Sequence, residues 1–408
     1  MDYGNHKRCW TLGDGYTLGS GLTLGQEIGQ WHVIRRRAAA RKRKPTFSVF
    51  LAKQGDVTEY VTQISTNRRF EDSLHEPNHG SGTITMYDVN GDFAENSRCI
   101  IQQGDEVKIW AGFDGDNIPR FTGLVTDPKI NTTTHEVTLQ IADYGWLLKQ
   151  SQTGGDYSAY GTPKLLIDQL VTNEMRLGSI TYENEAGEPT IYTFGNTTLS
   201  TRTYWAIIHG ATLGIFYIFY FDENGVLQCK RRNGFTDADS DTEIVFTDDN
   251  IQNLDHLQMA EIINKKSVAH SDTPGWTNAA LGDGLRFGQS TYIAQDELSI
   301  ARYGERADYE AEELIDGWDN TYDMAQQSVN FYKYPKEIYK MSAPGRPELQ
   351  LTDRFHLDSQ KRNVKGLFVI MGIEEYITPR TYTQTLAIVS DKEIAYCRLL
   401  QYRLIMEE

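Results

Sequence analysis

From residue 46 onward, apolar and polar side chains alternate with a period of two along most of the chain. Phe47, Val49 and Leu51 alternate with smaller or polar partners, as do Val107, Ile109, Ala111 and Phe113. Phe121, Gly123 and Val125 follow, then Val137, Leu139 and Ile141 set around Thr138 and Gln140. A period of two sends one face of each strand into a core and leaves the other in water, the pattern of antiparallel sheet. Asn90-Gly91-Asp92, Asp114-Gly115-Asp116 and Asp127-Pro128 read as turns between these runs. Residues 46–150 are therefore expected to form a first β-barrel or sandwich domain.

Between residues 151 and 235 the period shifts toward that of a helix. Thr162 before Pro163 is a helix start, with threonine as cap and proline at the first helical position. Leu166, Ile167, Leu170, Val171 and Met175 then fall at helical spacing before a stop at Gly178. A second helix is predicted over Tyr204–Leu213, and Ile215–Phe221 with Val226–Lys230 form a hairpin about Asn224-Gly225. This stretch is expected to be a small α+β domain. Residues 236–300 return to strand-like sequence. Leu314, Trp318, Tyr322, Ala325 and Val329 step by three or four, a helical insertion over residues 301–334 that Pro335 ends. Leu349–Leu357, Leu367–Ile377 and Tyr382–Val389 are strands again, so residues 236–300 and 335–408 together are expected to make a second β-barrel. The fold class is mainly β with α+β parts.

The two strand-rich regions echo each other. Asp105-Glu106-Val107-Lys108-Ile109 is matched by Asp353-Arg354-Phe355-His356-Leu357, Phe121 with Gly123 and Val125 by Phe368 with Ile370 and Gly372, and Leu139-Gln140-Ile141 by Leu386-Ala387-Ile388. Asp105 to Phe121 is 16 residues and Asp353 to Phe368 is 15; the next interval is 18 in both. Matched strand types at matched spacing predict two copies of one module.

Charge adds an extended N-terminal arm, residues 1–45. Residues 1–44 carry nine Lys/Arg and three Asp/Glu, so the arm is +6 and the body −22 within a chain of net charge −16. Thr-Leu-Gly recurs every six residues at 11–13, 17–19 and 23–25, with too little apolar surface to fold alone. Arg35, Arg36, Arg37, Arg41, Lys42, Arg43 and Lys44 follow. They read as a solvated linker or as a docking patch for an acidic neighbouring subunit. The acidic body argues against general affinity for nucleic acid. Four widely spaced cysteines, with no CxxC pair, fit a reducing cytosol without a metal site or disulfide framework. No signal peptide is read, and the most apolar stretch, Trp205–Phe221, falls short of the ~20 residues a membrane helix needs. No membrane insertion is expected.

Three segments resemble the hub proteins of tailed bacteriophages and related contractile injection machines. They are Arg120-Phe121-Thr122-Gly123-Leu124-Val125-Thr126-Asp127 with the strand that closes on Asp143 and Leu147-Leu148, then Val245–Leu254 with Ile262–Val268, and the meander Leu349–Val389 with the helix before it. The likeness spans residues 46–400, and the basic arm lies outside it. The resemblance implies a homotrimer in which each chain gives two similar β-barrel tube domains to a ring, six positions that match a sixfold tail tube and taper to a threefold tip. It implies as partners the tail tube or distal tail protein, the tape-measure protein C-terminus and the tail spike or tip protein. DNA would pass through the channel without specific binding. The location implied is the virion tail tip or baseplate, assembled in the host cytoplasm, with neither enzymatic activity nor cofactor.

Catalytic patterns are weak. His75-Glu76-Pro77-Asn78-His79 has the H-E-x-x-H form, but Pro77 and Gly80 place it in a loop where the zinc chemistry needs a helix. Asp88, Asn90 and Asp92 imitate a calcium loop, yet Phe93 and Cys99 stand where glycine and glutamate are required. Asp237, Asp239 and Asp241 read as a polar connector. The alternative to a hub is a receptor-recognition module binding host-surface glycans through Trp205, Phe216, Tyr217, Phe219 and Tyr220, although their place in an apolar run favours a core.

Overall fold

The computed structural model describes residues 43–70, 78–93, 100–157, 159–183, 198–213, 217–231, 244–259, 262–271, 289–316, 318–334 and 337–390. It is mostly β, built on one 13-stranded sheet. In the first half, β1 (Pro45–Leu51), β2 (Gly55–Asp56), β3 (Val61–Arg69), β4 (Ser81–Tyr87), β5 (Glu106–Phe113), β6 (Asp116–Asn131) and β7 (Glu136–Ala142) are antiparallel in the order β2-β1-β5-β6-β7-β4-β3. Val49, Leu51, Ile64, Ile84, Val107, Ile109, Leu139 and Ile141 fill one core, as a period of two requires. Asp114 and Gly115 both take positive φ, 57° and 92°, in the tight turn that sets Phe113 opposite Asp116. Asp127-Pro128, expected to be a turn, lies inside β6. Past Val125 that strand has a partner on one side only among the described residues, so the proline's missing N–H interrupts no ladder.

The middle of the chain holds α1 (Gly145–Gln150), β8 (Gln152–Asp156), α2 (Pro163–Asp168), β9 (Ile180–Tyr182), β10 (Thr198–Thr203), α3 (Tyr204–Leu213), β11 (Tyr217–Phe221) and β12 (Leu227–Arg231). Thr162 accepts the Leu165 N–H and caps α2, with Pro163 in its first turn. The β11–β12 turn closes with Gly225 at φ 77°, its N–H donating to the Asp222 carbonyl at 3.1 Å. β11 is buried on both faces. Tyr217, Phe219 and Phe221 pack with Leu166, Ile167 and Ile208, while Ile218 and Tyr220 pack with Phe70, Phe246 and Phe355.

The second half begins with β13 (Val245–Thr247) and β14 (Asn253–Met259). β15 (Lys265–Ser271) and β16 (Gln289–Gln295), expected within a second barrel, pair instead with β17 (Ala307–Asp316) in a separate sheet. The stretch expected to be a helical insertion begins with the end of α4 (Glu297–Tyr303) and β17 before α5 (Trp318–Tyr332). Met324, Ala325 and Val329 of α5 pack on Val268 and Ala294. A helix with one apolar stripe needs a sheet to cover it, and strands near it in sequence supply that sheet. β18 (Glu337–Pro344), β19 (Arg354–Ser359), β20 (Val364–Ile377) and β21 (Tyr382–Ser390) complete the half, ordered β14-β18-β21-β20-β19-β13. That is the order β3-β4-β7-β6-β5-β1, strand for strand. One departure is visible: β13 is parallel to β19, where β1 is antiparallel to β5.

The match extends to individual hydrogen bonds. Gly104 N–H donates to the Val125 carbonyl (2.8 Å) and Val125 N–H to that of Asp105 (2.9 Å); Thr352, Ile370 and Asp353 repeat this at 2.9 Å for both bonds. The Asp105 and Asp353 carboxylates accept the N–H of Gln102 (2.9 Å) and Gln350 (2.8 Å). The register of β6 on β7 shifts between Val125 and Asp127, and that of β20 on β21 between Ile370 and Gly372. Asp105–Asp353 and Leu139–Leu386 are thus equivalent as expected. The expected match of Phe121 with Phe368 slips by two, because Val125 aligns with Ile370 and therefore Gly123 with Phe368.

Closure into two barrels is not seen among the described residues. Instead, Ile64–Arg69 of β3 pair antiparallel with Ile377–Gly372 of β20. Joining the halves in this way satisfies two strand edges at once and makes one continuous sheet.

Candidate functional site

The seam where β3 meets β20 buries charge. The strand parity that turns Ile64 inward also turns Thr66 and Arg68 inward, and that of Ile373 and Ile377 carries Glu375. Arg120, from β6, is 1% exposed. Its Nε donates to Glu375 Oε1 at 2.9 Å, and its Nη1 to the carbonyls of Leu349 (3.0 Å) and Pro347. Glu375 also accepts from Thr66 (3.1 Å), Tyr382 (2.6 Å) and Gln384 (2.9 Å). Arg68 Nη1 reaches Glu223 Oε2 at 3.3 Å, and Gln350 donates to the same carboxylate. Thr122 Oγ1 donates to the Glu223 carbonyl at 2.9 Å. Both halves of the sheet are thereby tied to the α+β unit.

Burial pushes the Glu375 carboxyl up, but Arg120 and Arg68, helped by Tyr382 and Gln384, hold it below its ordinary range. Burial and then the Glu375 charge push the Tyr382 hydroxyl well above its usual value. Attraction inside such a pair is largely offset by desolvation, so the intact pair adds little net stability, whereas removing one partner leaves the other charge buried alone.

Asp143, in the segment that carries the family resemblance, lies beside this seam. It accepts the N–H of Gly80 at 2.5 Å and of Gly145, where α1 starts, at 2.8 Å. Burial raises its carboxyl to about 7, against those two bonds and the charges of Arg68 and Lys149. A carboxyl raised in the folded state keeps a proton that the unfolded chain has lost, so its contribution to stability falls as pH rises from about 4 to 7. Denaturation midpoints measured across that window are expected to decline with pH, and to decline less in Asp143→Asn. An equal slope in both proteins would reject Asp143 as the source.

Opposite the core, the central strands present a face of hydroxyl and amide groups. Thr83, Gln140, Ser65, Asn67, Tyr376 and Thr385 lie on it in register across β4, β7, β3, β20 and β21. Its lysines are paired: Lys129 with Asp127 at 3.1 Å and Lys340 with Glu374 at 3.2 Å.

Of the sites considered from sequence, only some residues fall among those described. Of the basic run, Arg43 and Lys44 are exposed, while Arg35, Arg36, Arg37, Arg41 and Lys42 lie outside the described residues. So do His75, Glu76, Phe216 and the aspartates at 237, 239 and 241. Asp88 takes the N–H groups of Asp92 and Phe93, both at 2.9 Å, and is a turn residue. Tyr217, Phe219 and Tyr220 are buried, and Trp205 packs on Phe219 with ring centroids 4.6 Å apart. Among the described residues, no three His, Cys, Asp or Glu side chains are grouped to hold a metal ion, and no helix is long and apolar enough to cross a membrane.

No protein-family model matches the chain, and no curated protein matches it. Solved structures do. The tail protein of Neisseria meningitidis MC58 superposes with a TM-score of 0.58 at 11% identity, over 86% of this chain and 97% of that one. The fold is that of phage tail proteins. The 43 kDa tail protein of prophage MuSo2 from Shewanella oneidensis matches with a TM-score of 0.55 at 12% identity, over 85% and 98% of the two chains. Prophage tail protein gp18 from Listeria monocytogenes EGD-e gives 0.51 at 10%, over 88% and 99%. The shared body accounts for nearly all of each tail protein's length.

Proposed function

We propose that the chain is a structural subunit of a phage tail, a homotrimeric hub at the distal end of the tail tube. The observation that carries this reading is the succession of two halves with one strand order, residues 45–142 and residues 245–259 with 337–390, joined edge to edge. Three such chains supply six equivalent positions, which suit a sixfold tube on one side and a threefold tip or spike on the other. The tail tube or distal tail protein, the tape-measure C-terminus and the tip or spike protein are the neighbours in this arrangement. The hydroxyl- and amide-rich face lines the channel. With its lysines held in pairs it offers passing DNA no row of free cations to stick to. The protein works by assembly within the virion and not by catalysis.

Single-particle imaging of the full chain, alone and in purified tails, tests the reading. A threefold ring with Thr83 and Thr385 toward the central hole is the expected result. A ring with that face outward removes the channel role, and assembled tails without a threefold ring of this chain remove the hub. For the arm, the basic run from Arg35 to Lys44 docks on an acidic neighbour. Deleting residues 1–44 is expected to leave the thermal unfolding of the body unchanged and to lower virion yield; a normal yield would remove the arm from assembly.

A further inference from the structure

We propose that β14 of one copy adds to the outer edge of β6 of a second copy, in the register that β3 takes on β20 within the chain. The inference rests on the ring reading above and gives it a specific interface. Ile84 faces Leu139 as Met341 faces Leu386. Ile64 in turn faces Ile84 as Leu254 faces Met341, so β14 stands where β3 stands. Beyond the shared register shift, Asp127 faces Gln140 as Gly372 faces Ala387, so residues 127–132 stand where 372–377 stand.

The internal seam therefore uses one member of each equivalent pair, β3 from the first half and the end of β20 from the second. The two remaining members are the open ones. Among the described residues β14 ends the sheet, and β6 pairs with β5 only as far as Leu124. The step that carries the first half onto the second, applied once more, brings β14 to the β6 edge of the next copy. A second copy is the occupant because within one chain these two edges stand apart at the two ends of a path of eight strands.

The register follows from the seam. Ile64 opposite Ile377, Ser65 opposite Tyr376 and Thr66 opposite Glu375 become Leu254 opposite Thr132, Asp255 opposite Asn131 and His256 opposite Ile130. The register shift between His256 and Gln258 then places Gln258 opposite Lys129. Lys129 and Asp255, both exposed, become diagonal neighbours of opposite charge. The bond from Phe70 N–H to the Met371 carbonyl, 3.0 Å, sets the hydrogen-bonding phase. In that phase Pro128 falls where Ile373 uses its N–H, so the seam between copies has one donor fewer than the internal one. A proline at that point also blunts the edge of a single copy against indiscriminate pairing.

Asn131 and Asp255 fall on a non-hydrogen-bonded pair, whose Cα atoms stand about 4.5 Å apart and suit a disulfide. The test is mild oxidation of the full chain carrying Asn131→Cys with Asp255→Cys. Covalent dimers and trimers that a reductant removes are expected on a non-reducing gel. The in-register pair Lys129→Cys with Gln258→Cys links as well, and provides the same reading if the first variant folds poorly. Lys129→Cys with Asp255→Cys, two residues out of register, and each single variant stay well below that yield. Absence of the in-register links overturns the pairing; if mass measurement shows such a chain to be trimeric, the hub reading stands without it. Links formed in open-ended strings of copies uphold the pairing and overturn the threefold hub.

Discussion

Replacing Arg120 with methionine is expected to destabilise the body by roughly 3–5 kcal/mol, the range for removing one partner of a buried ion pair. Glu375 would keep Thr66, Tyr382 and Gln384 as donors but lose the charge that offsets its burial, and the Leu349 and Pro347 carbonyls would lose theirs. The denaturation midpoint should fall with little change in the dependence on denaturant. Arg120→Met combined with Glu375→Gln should recover much of the loss, since neither charge then stays buried alone. The part of the pH dependence that comes from Glu375 should also change sign, on top of the unchanged contribution of Asp143. In the parent, the depressed Glu375 carboxyl contributes stability above its unfolded value and loses it as pH falls. Without Arg120, burial raises that carboxyl, so the single variant should gain stability as pH falls toward the ordinary carboxylate range. A parent-like midpoint for Arg120→Met would remove the charged seam from the account of the fold.

Local features of this fold were legible in the sequence because local chemistry determines them. Thr162-Pro163 starts a helix, Asp114-Gly115 turns a hairpin, and the alternation around Leu139 makes a strand, each by its own backbone preference. The duplication was legible too, down to Asp105 and Asp353. What stayed hidden was nonlocal. Nothing near Ile64 says that its strand pairs with one some 300 residues away, nor that β15 and β16 leave the main sheet. Pro128 read as a turn because its permissive setting, an open edge, is a property of the assembled sheet. The charged seam did leave a trace. Glu375 shares the parity of Ile373 and Ile377, and Arg68 that of Ile64; a charge at an inward strand position marks a buried partner when neighbouring positions are apolar.

Gly123 and Phe368 occupy equivalent positions, and alanine at either is expected to destabilise the protein for opposite reasons. Phe368 is fully buried, with the rings of Tyr339 and Phe355 at 5.7 Å and 6.2 Å. Phe368→Ala leaves a cavity among them and should cost about 3–5 kcal/mol. At Gly123 there is no room to fill. A Cβ there would meet the Ala142 carbonyl oxygen at 2.1 Å and the Asp143 Cα at 2.9 Å, all backbone. The asymmetry has a local cause. After β21 passes Phe368 opposite Ser390 it is still strand, whereas after Ala142 the chain is drawn across Gly123 by the bonds from Gly80 and Gly145 to Asp143. Gly123→Ala must move that backbone, and about 3 kcal/mol is expected, the upper end for adding a methyl to a packed site. Denaturation of the two variants beside the parent checks both costs. A neutral Gly123→Ala would mean that Asp143 does not hold the first half's last strand against β6, and that the two halves leave their sheets alike.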